Sequence, residues 1–313
     1  MIFSTLLGAM PGAVSQGLIW GIMALGVYIT FRILDIADLT VGGTMCTGGA
    51  VFVILTMHGV GIPIALLCAF LAGLAAGFVT GVLHTFCGIP AILSGILTWL
   101  ALYSVNLRIL GWGGDSGKAN LSINASNYNL LISSRNVAVL EFQNPIFVVG
   151  IFTIAIIALL RWFFGTEQGA ALRATGANPS MARAAGVNTS FSKVLGLMLS
   201  NGLVALSSAL FCQYQGFVDV NMGKSAIIIG LAAIVVGEGI FGRITVRFVP
   251  KLIVVVSGAI IYYVVLQTVI VLRLLRADDT NLATAVIIAL FMAVPYWKGK
   301  YFAKRLKGGI GNA

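Results

Sequence analysis

The sequence is dominated by apolar runs that are long enough to cross a lipid bilayer. A membrane-spanning helix needs about 20 predominantly apolar residues, with a range of about 17–25. Runs of this kind lie at about 11–31, 41–57, 63–83, 91–110, 145–163, 191–215, 225–241, 251–272 and 281–297. The sequence therefore predicts an all-α, polytopic transmembrane helical bundle of about nine spans. The second and seventh runs are short and rich in glycine, which favours broken or re-entrant helices there.

The composition excludes a water-facing globular surface. Hydrophobic residues make up 59% of the chain and charged residues 9%, and the mean hydropathy is +1.03. A soluble domain has about 45–50% apolar and about 25% charged residues. The net charge of +10 could indicate nucleic-acid binding. However, the basic residues lie between the apolar runs and in the C-terminal tail, as membrane orientation requires, so nucleic acid is not expected as a partner.

The basic residues also predict the orientation of the chain. The segments 161–193, 242–251 and 298–313 are rich in Lys and Arg and lie on one side if the nine crossings are present. Lys and Arg are enriched in cytoplasmic loops. We therefore expect an N-terminus outside, a C-terminus inside with a basic cytoplasmic tail at 298–313, and an extracytoplasmic loop at 111–144. Residues 1–313 would form a single transmembrane domain.

A short internal similarity suggests an inverted repeat. Residues 33–36 (ILDI) and 217–220 (FVDV) each place an aspartate, Asp35 or Asp219, after two apolar residues at the end of a span. The predicted topology has the first span running inward and the sixth running outward, so the two halves would be inverted. Inverted repeats with broken helices occur in transporters, in which the pathway lies between the halves.

The sequence carries no pattern typical of an enzyme or a metal site. Its nine acidic residues are scattered, its four cysteines stand singly in apolar runs, and neither HExxH nor GxSxG occurs. Hydrolases and metalloenzymes need such groups in matched clusters. Gly223-Lys224-Ser225 has the ending of a phosphate-binding loop, but Val218 stands where that loop requires glycine. We expect no catalysis, no metal and no cofactor bound by this chain.

Glu238 is the acidic residue that lies deepest within an apolar run. An ionisable group inside a span is a functional candidate by default. Two interpretations stay open for Glu238: a local ion pair with Arg243, or an ion or proton site. Asp219 and Lys224, at the outer ends of the sixth and seventh runs, are expected to pair in the same way.

Small residues predict where helices approach closely. Gly73, Gly77 and Gly81 form a GxxxGxxxG stripe in the third run, which allows another helix to reach its backbone. One face of the sixth run carries small or polar residues at spacings of three and four, namely Asn201, Ala205, Ser208, Cys212 and Gln215. Lipid disfavours such a face, so it meets either a neighbouring helix or a solute pathway.

Polar groups in other runs extend the candidate pathway. The segment from Asp38 to Gly43 interrupts the first apolar run, and unwound backbone at membrane depth is tolerated only where protein or a cavity surrounds it. The fourth run also carries a polar face. Together with the sixth-run face, these places give the predicted pathway residues Asp38, Thr40, Ser94, Thr98, Asn106, Asn201, Ser208 and Gln215.

The segment 165–190, between the fifth and sixth runs, predicts a short amphipathic helix. Asn178 is a favourable N-cap, and Pro179 suits the first helical position. Gly186 can adopt the left-handed conformation that ends a helix. A helix of two turns is marginal in water on its own. We therefore expect it to dock on a cytoplasmic protein that has a groove.

Here the chain resembles a known family. The segment carries the spaced motif Arg173-x-x-Gly176-x-Asn178-x-x-x-Ala182-x-x-x-Gly186-Val187-Asn188. It is similar to the coupling segment of ATP-binding cassette (ABC) importer permeases of the branched-chain amino acid and ribose permease superfamily. GLIWGIMALGVYITFRILDIADLTVGG and GLAAIVVGEGIFG resemble two further signatures of that superfamily. The resemblance covers most of residues 12–296 and looks closest to permeases of tryptophan and tyrosine import systems. It departs from the shared Glu-Ala-Ala-x-x-x-Gly motif, because Arg183-Ala184-Ala185 has no preceding glutamate.

The resemblance implies a permease subunit that moves a small solute inward by alternating access across a bacterial cytoplasmic membrane. The resemblance implies that the solute is an amino acid, and its likeness to tryptophan and tyrosine systems favours an aromatic one. Two copies of the chain would form the pathway, a separate ATPase would bind ATP-Mg, and an extracytoplasmic solute-binding protein would deliver the solute. The implied coupling residues are Arg173, Gly176, Asn178, Pro179, Ala182, Arg183 and Gly186. The alternative is a stand-alone secondary transporter or channel that uses Glu238 as its ion or proton site.

Overall fold

The described part of the chain is a bundle of helices with one small sheet. A computed structural model describes residues 2–112, 118–123, 128, 130–134, 144–241 and 248–272, together with 282, 285–286, 288–290 and 293. The elements are α1 (Ile2–Tyr28), a π-helical turn (Ile29–Ile33), α2 (Val41–Met57), α3 (Ile62–Thr85), α4 (Ala91–Leu110), β1 (Asn120–Ser122), α5 (Pro145–Gly165), α6 (Glu167–Ala177), α7 (Pro179–Ala184), α8 (Thr189–Gln215), β2 (Phe217–Asp219), α9 (Ala226–Phe241) and α10 (Phe248–Val271).

The lengths of the helices confirm an all-α polytopic membrane protein. Within the described residues, six helical segments are long and apolar enough to cross a bilayer: Gly8–Ile33, Ile62–Thr85, Ala91–Leu110, Pro145–Gly165, Thr189–Gln215 and Phe248–Val271. Helices α2 and α9 are apolar and have 17 and 16 residues, at and just below the lower limit for a full span. A full span needs about 17–25. The predicted count of nine is not confirmed, and the ninth run lies largely outside the described residues.

Helix α8 forms the centre of the bundle. It runs antiparallel to α1, because the Ser200 hydroxyl donates to the Gly26 carbonyl and the Ser207 hydroxyl donates to the Ile19 carbonyl, each at 2.7 Å. On its other side, the glycine stripe of α3 lies directly against the α8 backbone. A Cβ added at Gly77 would stand 2.3 Å from the Leu197 carbonyl oxygen. The packing role predicted for this stripe is therefore confirmed.

Helices α1 and α10 repeat this arrangement. Gly17 and Gly21 of α1 lie against Ile260 and Val256 of α10, as the α3 glycines lie against α8. If α1 begins one half of the chain and α8 begins the other, then α3 of the first half packs on α8, and α10 of the second half packs on α1. The two helices that begin the halves, α1 and α8, are antiparallel. This arrangement has the form of two inverted halves.

The bundle has two polar ends, which lie at opposite ends of α8. The end that we call the α6–α7 face contains these two helices, the π-helical turn and the end of α3, where the Lys193 ammonium lies 3.5 Å from the His84 ring. At the other end, which we call the sheet face, β1 pairs antiparallel with β2, with Asn120 opposite Asp219. The described part of the 111–144 segment is therefore joined to the C-terminal end of α8.

Candidate functional site

Two interruptions of the helical chain meet inside the bundle. We call residues 34–40 the first break and residues 216–225 the second break. Gly42 follows the first break and Gly223 lies in the second, and a Cβ at Gly223 would fall 1.8 Å from the Gly42 carbonyl oxygen. We call this contact the glycine junction. Since Thr44 bonds to Asn201 near the middle of α8, the junction lies near the middle of the bundle.

Each break contains the same local turn. The Asp38 Oδ1 atom accepts a hydrogen bond from the Thr40 N–H at 2.9 Å, and the Asp219 Oδ1 atom accepts one from the Asn221 N–H at 2.7 Å. In both cases the glycine of the junction follows four residues after the aspartate. The structural counterpart of Asp219 is therefore Asp38. Asp35, which the sequence pattern matches with Asp219, has a left-handed φ of 55° and precedes this turn, so its match with Asp219 stays a prediction.

A buried polar network holds the first break. Asp38, whose exposed fraction is 3%, accepts a hydrogen bond at Oδ2 from the Asn201 side chain at 2.7 Å. The Thr44 hydroxyl donates to Asn201 Oδ1 at 2.7 Å, and the Thr40 and Thr80 hydroxyls are 2.7 Å apart. Three predicted residues from two separate parts of the sequence, Asp38 and Thr40 of the first break and Asn201 of the sixth run, thus come together. Thr44 and Thr80 were not predicted, although each lies one helical turn from a residue that the sequence singled out.

Helix α4 covers the first break with its predicted polar face. Gly95 lies against the Leu39 backbone, and Trp99 lies against Gly42 and Gly43. The Asn106 side-chain amide donates to the Gly43 carbonyl at 3.2 Å. Two further predicted pathway residues of α4 are buried and bond to carbonyls of their own helix, namely Ser94 and Thr98.

The small-residue face of α8 packs mainly against α2. The Ser208 hydroxyl donates to the Met45 carbonyl. Gly48 lies against Ala205, and Gly49 lies against Cys212 and Ser208. Gln215 is the last residue of α8 and stands apart from the network. The pathway role of all eight predicted residues stays a prediction.

A cavity of about 350 Å³ lies next to the glycine junction. Its walls are Ile96, Trp99, Leu100 and Tyr103 of α4 and Val220, Asn221 and Lys224 of the second break. Lys224 stands two residues before α9, where the helix dipole adds positive potential. Within the described residues, Lys224 makes no ion pair. Its predicted partner Asp219 instead accepts from Asn221 and, at 3.4 Å, from Asn120. The sequence did not predict Trp99 and Tyr103 as cavity walls, because aromatic side chains are common in membrane spans.

The predicted short helix is present as α7. The Asn178 side-chain oxygen caps it by accepting a hydrogen bond from the Met181 N–H at 3.0 Å, and Pro179 is its first residue. Gly186 follows with a left-handed φ of 85°. Met181 is 72% exposed, while the Arg183 guanidinium donates to the Thr189 hydroxyl at 3.1 Å. The helix therefore presents an apolar side chain outward and is tied at its end to α8.

Helix α6 connects this short helix to the first break. Gly176 lies so close to the π-helical turn that a Cβ would overlap the Ile33 carbonyl oxygen. Leu172 of α6 and Leu34 of the first break both pack against Gly196 of α8. A displacement of α6 and α7 would therefore act directly on the residues that lead to Asp38.

Glu238 forms an ion pair with a partner that the sequence did not predict. Its Oε1 atom lies 3.1 Å from Arg32 Nε, which joins α9 to the π-helical turn at the α6–α7 face. The predicted partner Arg243 lies outside the described residues. The side chains of Glu238 and Arg32 are both partly exposed. Among the described residues, no group of three or more His, Cys, Asp or Glu side chains could hold a metal ion.

Comparison with known proteins agrees with this architecture. The family model described as branched-chain amino acid transport system / permease component matches residues 10–295. A tyrosine transport system permease protein of Clostridioides difficile is 37% identical over 287 residues, which is 91% of each chain. The uncharacterized protein RP368 of Rickettsia prowazekii is 31% identical over 291 residues, 90% of this chain and 95% of that protein. The autoinducer 2 import system permease protein LsrC of Salmonella typhimurium is 27% identical over 221 residues, 69% of this chain and 58% of that protein. No solved structure gives a significant match.

Its helices, its two breaks and the match over residues 10–295 lead to one conclusion: this chain is a multi-pass membrane permease and belongs to the family of branched-chain amino acid transport system permease components.

Proposed function

We propose that this chain is the transmembrane subunit of an ABC importer in a bacterial cytoplasmic membrane. The α6–α7 face would be cytoplasmic and the sheet face extracytoplasmic, with the N-terminus outside. The basic residues at the α6–α7 face, including Arg161, Arg173 and Lys251, support this orientation because Lys and Arg are enriched in cytoplasmic loops. The observation that carries the proposal is the contact between an exposed two-turn helix, α7, and the first break through α6.

In this mechanism α7 docks in a groove of an ATPase subunit through Met181. The ATPase binds ATP-Mg and has different affinities for two conformations of the permease, which is all that a ligand needs in order to shift an equilibrium. Its closure moves α6, and the close contact between Gly176 and Ile33 passes this movement to the first break. The permease itself supplies no catalytic group. A second copy of the chain completes the pathway.

For the solute we propose an amino acid, with an aromatic side chain as the preferred class. The cavity beside the glycine junction offers the rings of Trp99 and Tyr103 for an aromatic side chain, and aromatic pairs gain about 0.5–1.5 kcal/mol beyond their buried area. Lys224 and the positive end of α9 suit a carboxylate, since the N-termini of broken helices often point at anionic substrate groups. The similarity to a tyrosine transport permease supports the same class. A solute-binding protein would deliver the solute at the sheet face.

The coupling role of α7 can be tested with a matched pair of variants. The chain has two helices that begin with Asn-Pro: α7, at Asn178 and Pro179, and α5, at Asn144 and Pro145. We expect Asn178→Gly with Pro179→Gly to lower both solute uptake and solute-stimulated ATP hydrolysis at least about tenfold in proteoliposomes, because a two-turn helix is marginal without its caps. Asn144→Gly with Pro145→Gly should retain both activities. Equal effects of the two pairs, or full coupling in the α7 pair, would contradict the proposal.

The role of Lys224 can be tested by uptake of radiolabelled tyrosine. We expect Lys224→Gln to lower the rate at limiting tyrosine about tenfold, which corresponds to about 1.4 kcal/mol of lost interaction with the carboxylate. Lys118→Gln removes the same charge at the sheet face but outside the cavity, and it should have little effect. The same loss in both variants would indicate a general effect of charge.

The alternative is a stand-alone transporter with Glu238 as its ion or proton site. Glu238 pairs with Arg32 at the α6–α7 face and does not line the cavity at Lys224. This alternative would require tyrosine uptake by the permease without any ATPase, and loss of that uptake in Glu238→Gln. We expect no uptake without the ATPase.

A further inference from the structure

Two adjoining cavities open at the α6–α7 face, away from the glycine junction. One has a volume of about 400 Å³ and is lined by residues that include Arg32, Arg173 and Lys251. The other has a volume of about 560 Å³ and is lined by residues that include Arg161, Arg173 and Phe164. They share Arg173 and Phe248. We call the combined cavity the basic groove.

The basic groove carries an excess of positive charge. None of its lining residues is acidic. Arg32 is the one lining cation with a carboxylate partner in the described residues, and that partner is Glu238. Arg161, Arg173 and Lys251 have no such partner there. Arginine presents planar donors that match the oxygens of a phosphate group, and the Arg173 guanidinium is held 5.9 Å above the centre of the Phe248 ring.

One end of the groove is apolar and adjoins the lipid-facing side of the bundle. Phe164, Phe248, Val249 and Pro250 form this end. The neighbouring surfaces of α5 and α10 expose large apolar side chains along their length, namely Phe147, Ile151, Ile154, Leu159, Trp162, Ile253 and Ile270. Arg161 stands near the end of α5, and Lys251 near the start of α10. The cations thus lie at the ends of these two apolar helices, next to an apolar path that a lipid tail can follow.

We infer that the basic groove binds an anionic phospholipid of the adjacent leaflet. The phosphate lies among Arg161, Arg173 and Lys251, and an acyl chain follows Phe164 and Pro250 toward the bilayer. Basic pockets between transmembrane helices on the cytoplasmic side bind anionic headgroups. The bound lipid joins α5, α6 and α10 through their cations. Since α6 contacts the first break, the lipid composition of the membrane acts on the same contact that α7 would move.

Native mass spectrometry of the purified full chain tests this inference. The detergent-solubilised protein is titrated with dioleoylphosphatidylglycerol and, separately, with dioleoylphosphatidylcholine. We expect preferential retention of the phosphatidylglycerol. Arg161→Gln and Lys251→Gln should each lower its affinity about fivefold, the effect expected for one basic residue near a membrane surface. Lys193→Gln removes one charge at the same face but outside the groove, and it should leave the affinity unchanged.

Three results would overturn the inference. Equal retention of the two lipids would reduce the groove to an apolar surface without headgroup recognition. Displacement of phosphatidylglycerol by an equal concentration of inorganic phosphate would assign the site to free phosphate instead of lipid. An equal loss of affinity in Lys193→Gln would show that overall charge, and not the groove, attracts the lipid. Arg161 and Lys251 are exposed side chains, so the fold is expected to tolerate both substitutions.

Discussion

The two breaks have the same local turn but opposite surroundings. In the first, Asp38 is buried and bonds to Asn201 of α8, and α4 covers the segment. In the second, Asp219 is partly exposed, and its Oδ2 atom accepts a hydrogen bond from the Asn120 side chain of β1. The chain continues through Asn221 and Lys224, which are exposed.

This difference separates a break whose polar groups bond within the protein from a break that borders the cavity. Polar groups at membrane depth need protein, water or a solute as partners. The first break satisfies most of its groups within the protein, so it fixes the position of the glycine junction. The second break leaves its cation open to the cavity, so it is the part that can interact with a passing molecule. The two breaks of one chain are thus held in different ways.

The two breaks meet at the glycine junction, so Gly223→Ala should have the largest effect on stability. The added methyl group would fall 1.8 Å from the Gly42 carbonyl oxygen, and backbone cannot yield as a flexible side chain does. We expect a loss of about 3 kcal/mol in the free energy of unfolding, at the upper end for overpacking, with loss of uptake. Gly150→Ala is the control, because nothing lies within 4 Å of its added Cβ. Normal stability in Gly223→Ala would mean that the breaks do not need to touch.

Substitution of the two aspartates should have an intermediate effect, in which Asp38→Asn lowers the free energy of unfolding more than Asp219→Asn does. In Asp38→Asn, the new amide N–H group would face the Asn201 amide, so at least one buried hydrogen bond is lost, at about 1–3 kcal/mol. In Asp219→Asn, the remaining oxygen still accepts from the Asn221 N–H, and the bond to Asn120 is long and exposed. We therefore expect a change below about 0.5 kcal/mol there. Unfolding of both purified variants by denaturant measures the difference. Equal losses in the free energy of unfolding would contradict the idea that the protein holds the first break more firmly than the second.

A smaller loss of stability than that of Asp38→Asn is expected at the edge of the buried network. Thr80→Val removes a hydroxyl that lies 2.7 Å from the Thr40 hydroxyl, and we expect a loss of about 1 kcal/mol. Thr85→Val is a matched control on the same helix, since the Thr85 hydroxyl bonds to the Gly81 carbonyl of its own helix. The comparison of their unfolding midpoints shows whether the network around the first break contributes to stability. Identical midpoints would limit the network to Asp38, Thr44 and Asn201.

Local features of this molecule could be predicted from sequence, whereas long-range pairings could not. The cap and end of α7 depend on Asn178, Pro179 and Gly186, which act within a few residues, so their pattern was sufficient. The α3 glycines were informative because glycines at every fourth position of a span leave room for the backbone of another helix. Arg32 and Glu238 are 206 positions apart, and nothing local indicates such a pair.

The correspondence between the breaks was also hidden from the sequence. The stretches from Asp38 to Gly42 and from Asp219 to Gly223 share only their first and last residues. Their equivalence lies in a backbone turn and in the contact between the glycines, which a comparison of letters does not detect. The cavity was missed for a related reason, because its walls come from α4 and from the second break.

The pairing of β1 with β2 links the described part of the 111–144 segment to the second break, which forms one wall of the cavity. Three residues of the 111–144 segment form a ladder with Phe217–Asp219, and Asp219 holds the turn that positions Asn221 and Lys224. A protein that bound this segment would therefore contact the strand that leads to the cavity wall. In the importer proposed above, a solute-binding protein docked at the sheet face would act on the cavity wall while it still holds the solute.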